Sequence, residues 1–183
     1  VNENTGLIDF KRVQELAFYY KPKLIICGGS AYSREIDFKE FRDIADTVGA
    51  YLLADISHFS GLVVGGLHLS PVKFAHIITT TTYKSLRGVR GGVILTNDKK
   101  LAEKIDSSIF PGLQGSSLLN NLAGKALCFG EALKPNFREY AKQVLNNARC
   151  LATVISRRGL EVVTGSTDTP LILLDLRSLN LSG

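Results

Sequence analysis

The sequence has no methionine in 183 residues and begins at Val1. An intact translation product starts with methionine, so the expectation is a processed, engineered or partial chain. The far end agrees, because "TPLILLDLRSLNLSG" runs a strand pattern into a loop signal and stops. Cysteine is scarce too. Cys27, Cys128 and Cys150 are far apart, odd in number and never in a CxxC spacing. That excludes a disulfide framework and a zinc-knuckle pattern, and it predicts three buried free thiols in a reducing compartment. No apolar run reaches the roughly 18 residues that cross a bilayer, and the first residues lack signal-like order. A soluble protein of the cytoplasm or an organelle matrix is expected, with no membrane partner. A basic block is missing as well: 22 Lys and Arg stand against 17 Asp and Glu, net +5, spread along the chain. That distribution gives little support for a nucleic-acid partner.

What is present is 45% hydrophobic and 21% charged residues, enough to bury a core. "IDFKRVQELAFYY" (8–20) has helical apolar spacing, and "KPKLIICGG" reads as a short buried strand ending in glycines. In "DFKEFRDIADTVGA", Asp37 is the expected N-cap, Glu40 its capping-box partner and Gly49 the stop. "AYLLAD" (50–55), "HIITTTT" (76–82) and "GGVILTN" (91–97) are the next strands. Strands alternating with amphipathic helices predict an α/β layered domain with a mostly parallel sheet. Thr82 and Gly91 are too close for a crossover helix, so the last two of these strands are expected to be antiparallel. Helices are predicted over "DKKLAEKIDSSIF", "LLNNLAGKALCFGEAL" and residues 135–159, with a Gly/Pro loop at 110–117 and strands at "LEVVTG" and "PLILLDL". The long helix marks an expected division: residues 1–134 as part of a major domain, and residues 135–183 as a connecting helix and the start of a smaller α+β domain.

In an open α/β sheet, ligands gather beyond the carboxyl ends of the strands. There the sequence places Ser30, then Asp55 with His58, then Thr81, Thr82 and Lys84. Singly, each has an ordinary structural explanation: a cap, a solvated charge, a strand of high β-propensity. Together they offer a carboxylate, an imidazole, hydroxyls and an amine at one sheet edge. Such a set suits a lysine that captures the aldehyde of pyridoxal 5'-phosphate while a carboxylate faces the ring nitrogen. That lysine must lose its proton near neutral pH, and Arg87 and Arg90, close in sequence, are expected to favour this.

"YLLADISHFSGLVVGG", followed by "TTTTYKSLRGVRGG" with Lys84 29 positions after Asp55, then "FPGLQG" and "ALCFGEALKPNFREYAKQVLNNA", resembles serine hydroxymethyltransferase over essentially the whole chain. The resemblance implies the three-layer major domain of fold-type I PLP-dependent transferases. It also implies conversion of serine and tetrahydrofolate to glycine and 5,10-methylenetetrahydrofolate, and a homodimer or homotetramer. By resemblance, Lys84 binds the cofactor aldehyde, Asp55 the pyridine nitrogen, and His58 lies near the phenolic oxygen. Ser30 and Thr81 contact the cofactor, Gly115 belongs to a loop reaching the phosphate held by a neighbouring subunit, and Arg90 supports the site.

The chain departs from the family pattern at Tyr83, usually His; at Val89, usually Pro, a change expected to loosen the turn; at Ser116, usually Gly; at Leu119 and Asn120; and at Thr169 and Pro170, usually Asn-His. The family's folate-handling and phosphate-gripping segments, and its arginine for the substrate carboxylate, have no counterpart here. Arg177, His68 and His76 are assigned to structure, and no metal site is expected. The expectation is therefore an incomplete or divergent copy, inactive by itself. A related fold-type I aldolase or aminotransferase, and a non-catalytic fragment or pseudo-enzyme, stay open as readings.

Overall fold

The computed structural model describes residues 1–183. Four strands form one sheet: β1 (Leu24–Gly28), β2 (Tyr51–Asp55), β3 (Ile77–Thr81) and β4 (Gly92–Leu95), side by side in that order. The first three are parallel, with Leu24 opposite Tyr51 and Leu53 opposite Ile77. β4 returns antiparallel to β3, Thr81 opposite Gly92, as the short connection requires.

The helices between the strands form where the apolar period and the caps predict them. α1 (Phe10–Tyr20) is capped by Asp9, whose side chain accepts from Arg12 N. In α2 (Phe38–Val48) the Asp37 carboxylate accepts from Lys39 N and Glu40 N, and Gly49, at φ 69°, ends the helix in the left-handed conformation that glycine adopts without strain. Only half of the expected capping box forms, because Glu40 returns no bond to Asp37 N. Phe38, Phe41, Ile44 and Ala45 make the buried face of α2, and Phe38, Phe41 and Ala45 pack with Leu52 and Ala54 of β2 into the main core. After β2 comes α3 (Ser60–Val64). Its five residues are too few to show a helical period, so the sequence reading passes over it.

Beyond β4 lie α4 (Lys99–Ile109), capped by Asp98, then α5 (Leu119–Ala132) and α6 (Pro135–Arg157). Pro135 sits in the first turn of α6, where its missing N–H is harmless. Phe137, Ala141, Leu145, Ala148 and Ala152 form one buried stripe along that helix, and Ala141 and Leu145 join the main core. A second sheet pairs β5 (Glu161–Val162) with β6 (Leu174–Asp175), antiparallel. Both are much shorter than the strands predicted at 160–165 and 170–176. The hydroxyl of Thr167 donates to the carbonyl of Leu171 at 2.6 Å, so a side chain takes an acceptor that a longer ladder would use.

Two further corrections concern single residues. Cys27 and Cys128 are buried, but Cys150 is exposed, on a side of α6 that meets no core. The turn at Val89 is closed, not loosened: Thr82 Oγ1 donates to the Val89 carbonyl at 2.6 Å, and Thr82 N donates to the Gly91 carbonyl at 3.0 Å.

Candidate active site

The strand register brings the site together. At the end of β2, Asp55 lies between Gly28 of β1 and Thr79 of β3. A Cβ at position 28 would fall 2.3 Å from the Asp55 carbonyl oxygen, so only glycine lets the end of β1 come this close. The Asp55 carboxylate accepts from Ser57 N at 3.0 Å on one oxygen and from Thr79 Oγ1 at 2.8 Å on the other. Burial by itself would raise the Asp55 pKa. The backbone and hydroxyl of Ser57, the hydroxyl of Thr79 and the charge of Lys84 together outweigh it, and the carboxyl stays below its usual value.

The four threonines each have a different bond. Thr79 donates to Asp55, Thr80 to the Thr81 carbonyl at 3.1 Å, Thr81 N to Ser57 Oγ at 3.1 Å, and Thr82 to Val89. Alternation along β3 leaves Thr79 and Thr81 half-buried on one side and buries Thr80 on the other; Thr82, just past the strand end, is also buried. The run therefore fixes both the carboxylate and the loop that carries the lysine.

Lys84 is half-buried, in the loop after β3. Its neighbour Ser85 anchors that loop twice, accepting Gly61 N on its hydroxyl at 2.9 Å and the Tyr140 hydroxyl on its carbonyl at 3.2 Å. The Lys84 ammonium is near enough to both Asp55 and His58 to lower their pKa values. For His58 burial is the larger cause, Lys84 adds to it and Asp55 opposes it, so the ring is neutral at pH 7. Tyr83 lies between two cations: Lys84 Nζ is 5.3 Å from its ring centroid and Arg90 Cζ is 4.6 Å away. Arg87 turns elsewhere, 4.1 Å from the Tyr140 ring centroid, so of the two arginines expected to act on the lysine only Arg90 shares its surroundings.

Asp55, Thr81, Arg90 and Gly115 line one cavity of about 860 Å³, which Ser57, Thr79 and Lys125 also border. His58 and Lys84 lie outside that lining and reach the group through their charge coupling with Asp55. Ser30 is exposed two residues beyond Gly28, at the same sheet edge, and makes no side-chain hydrogen bond in the chain. Ser57 and Thr79 were missed by the sequence reading. Thr79 was legible in principle, because in a strand it shares a face with Thr81; Ser57 was not, because its role depends on a turn. Of the residues assigned to structure, His68 stacks on Phe59 at 4.3 Å, His76 Nδ1 accepts from Leu52 N at 2.9 Å, and Arg177 pairs with Asp175 at the surface.

A family model described as serine hydroxymethyltransferase matches residues 1–183. The chain belongs to the serine hydroxymethyltransferase family. Curated serine hydroxymethyltransferases from Paramagnetospirillum magneticum and Nostoc punctiforme are each 56% identical over all 183 residues, and one from Ehrlichia chaffeensis is 54% identical. The chain spans 43% of the length of the first two and 44% of the third. The fold agrees with this membership: a fold-type I α/β architecture with a mostly parallel sheet, of which β1 to β4 are observed. No helix is long and apolar enough to cross a membrane.

Proposed function

We propose that this chain is the cofactor-binding core of a PLP-dependent glycine hydroxymethyltransferase, which converts serine and tetrahydrofolate to glycine and 5,10-methylenetetrahydrofolate. The observation that carries the proposal is the pairing of Asp55, held as an anion by donors on both oxygens, with Lys84 across the same strand ends. These residues fit pyridoxal phosphate: an amine for its aldehyde, an anion for its ring nitrogen, and a cavity bordered by Arg90 and Lys125 for charge of the opposite sign.

Bound there, the cofactor would supply an electron sink for a bond broken at the substrate's α-carbon. Asp55 keeps a proton at the ring nitrogen, because its own carboxyl is too acidic to take that proton back. Lys84, on a loop pinned by Ser85, presents its amine at the strand end. His58 offers a neutral, flat ring near the phenolic oxygen. Thr81 and Ser30 contribute polar contacts, Arg90 supports the site, and Gly115 leaves open backbone for a phosphate.

The same reading places the protein in the cytoplasm and divides it into residues 1–134, within the major domain, and residues 135–183, leading into the small one. It also makes the protein a homodimer or homotetramer, supported by the exposed apolar surface of α5 and its C-cap, where Leu119 and Leu133 are 75% and 87% exposed. By itself, a chain spanning 43% of its relatives is inactive in this reading. Tyr83, which cannot serve as an imidazole base, favours a divergent copy as the second reading.

Absorbance tests the proposal. Purified chain mixed with pyridoxal phosphate is expected to give the visible band of the lysine-bound cofactor, and Lys84→Ala to abolish it. A band that persists in Lys84→Ala overturns the assignment.

A further inference from the structure

The geometry points to Ser57 and Thr79 as positioning residues that fix the orientation and charge of the Asp55 carboxylate, acting on a bound cofactor only through Asp55. The inference rests on the proposed role of Asp55 and adds two residues to that site.

Thr79 and Ser57 approach Asp55 from two directions. Thr79, opposite it in the register, donates its hydroxyl to one carboxylate oxygen at 2.8 Å, and Ser57 N donates to the other at 3.0 Å. A carboxylate with a single donor can rotate about its last bond; one held at both oxygens cannot. Each oxygen keeps a free lone pair, so the clamp leaves room for a ring N–H.

Ser57 is itself held. The β2–β3 ladder ends with Ile56 N donating to the Thr79 carbonyl at 2.9 Å, and Ser57 Oγ then accepts Thr81 N at 3.1 Å, where a strand would offer a carbonyl. That bond holds the turn from which Ser57 N reaches the carboxylate, and the nearby Ser57 hydroxyl helps to keep the Asp55 pKa low. Ser57 is 8% exposed, so solvent has little access to its end of these bonds. Donors on both oxygens favour the charged form of Asp55, which distinguishes the clamp from ordinary packing. The charged or titratable groups around Asp55 are Lys84 and His58, with Arg90, Lys125 and Asp106 on the same cavity, and all are unchanged in the variants below.

The test is the pH titration of the Asp55 carboxyl carbon by NMR in the full chain without cofactor. Wild type, Thr79→Val, Thr79→Ser and Ser57→Ala are compared. Thr79→Val keeps the shape and removes the donor; it is expected to raise the Asp55 midpoint by about 0.5–1 pH unit, a three- to tenfold gain in proton affinity. Thr79→Ser restores the wild-type midpoint, and Ser57→Ala raises it in the same direction. An unchanged midpoint in Thr79→Val, or a Thr79→Ser value matching that of Val, overturns the inference. Should Thr79→Val not fold, Thr79→Ala, which removes the same hydroxyl donor, decides on the same criterion. A second readout is the ring-nitrogen shift of ¹⁵N-labelled pyridoxal phosphate on the chain, expected to show a less fully protonated ring in Thr79→Val, because a more basic Asp55 competes better for that proton. Absence of cofactor binding to wild type would sink the proposed function while leaving the carboxyl titration to judge the clamp.

Discussion

At the ends of β2 and β3, Asp55, Ser57 and Thr79 to Thr82 all find hydrogen-bond partners within the chain, whereas along α5 and its C-cap Leu119, Leu122, Leu127 and Leu133 stand in solvent and Cys128 is the one buried side chain of the helix. The contrast separates two kinds of information. The strand-end group takes its geometry from register and local bonds, so this chain alone specifies it. α5 contributes almost no burial here, and its apolar surface gains free energy only when something covers it. The chemistry proposed for the chain belongs to the first region, and the proposed assembly to the second.

The sharpest way to break this comparison is truncation on each side. Phe59 is 0% exposed and sits in the main core directly after the Asp55 turn. Phe59→Ala is expected to cost about 3–5 kcal/mol in urea unfolding, from lost transfer free energy plus the cavity left behind. Leu133→Ala, at a site 87% exposed, should change stability by less than about 0.5 kcal/mol. Equal costs would mean that α5 is packed in solution, and the contrast would fail.

Next in size is the ionic clasp behind the site. Asp168 accepts Arg34 Nε at 2.8 Å, Arg149 Nη2 at 3.1 Å and Glu35 N at 3.3 Å, tying the 164–169 turn to the loop that follows Ser30. Asp168→Ala should cost about 1–3 kcal/mol at neutral pH, because it leaves these donors unmatched. Burial would raise the Asp168 pKa, but Arg149, the Glu35 N–H and Arg34 overcome it and hold it below 3.8. A depressed carboxyl stabilises the fold above its unfolded pKa and loses that contribution as pH falls through the folded value. The stability curves of variant and wild type should therefore converge in acid; a constant gap down to pH 2 would contradict the ionic account.

How far the sequence spoke follows the same division. The parallel strands, the antiparallel return of β4, the Asp37 cap and the Asp55–Lys84 juxtaposition were legible because each rests on local pattern or on chain length between fixed points. Cys150, the short β5 and β6, and the roles of Ser57 and Thr79 were not. Each depends on which neighbour a side chain meets across the fold: Thr167 diverts a carbonyl from a ladder, and Ser57 completes one after the strand has ended. Arg87 shows the limit most simply. Three positions from Lys84 in sequence, it is drawn to the rings of α6 instead.

His68 gives a smaller effect with a definite sign. Its Nδ1 bonds the Leu69 carbonyl at 2.9 Å, its Nε2 is buried without a partner, and burial is the largest cause lowering its pKa below 6.5. The unfolded chain then takes up a proton before the folded one does. Stability is full above pH 6.5 and declines as pH falls below it. His58 and His76 are lowered too and add to the slope. His68→Gln should flatten the slope without abolishing it, as read from urea midpoints across that range; an unaltered slope would remove His68 from the account.

The smallest effect is expected at Gly115, which lines the same cavity as Asp55. A Cβ there would meet no atom within 4 Å, and its φ lies outside the left-handed region, so nothing in this chain requires glycine. Gly115→Ala should stabilise the isolated chain by about 0.5 kcal/mol, through the lower entropy of the unfolded state, and leave the Lys84-dependent absorbance in place. If the proposed assembly is right, the same substitution in a longer protein that contains the rest of the family's length weakens cofactor binding, because the alanine methyl then faces a phosphate held by the neighbouring subunit. A loss of more than about 1 kcal/mol in the isolated chain would instead show that the 110–118 loop is packed within it, and that loop would join the strand ends as a part the chain specifies alone.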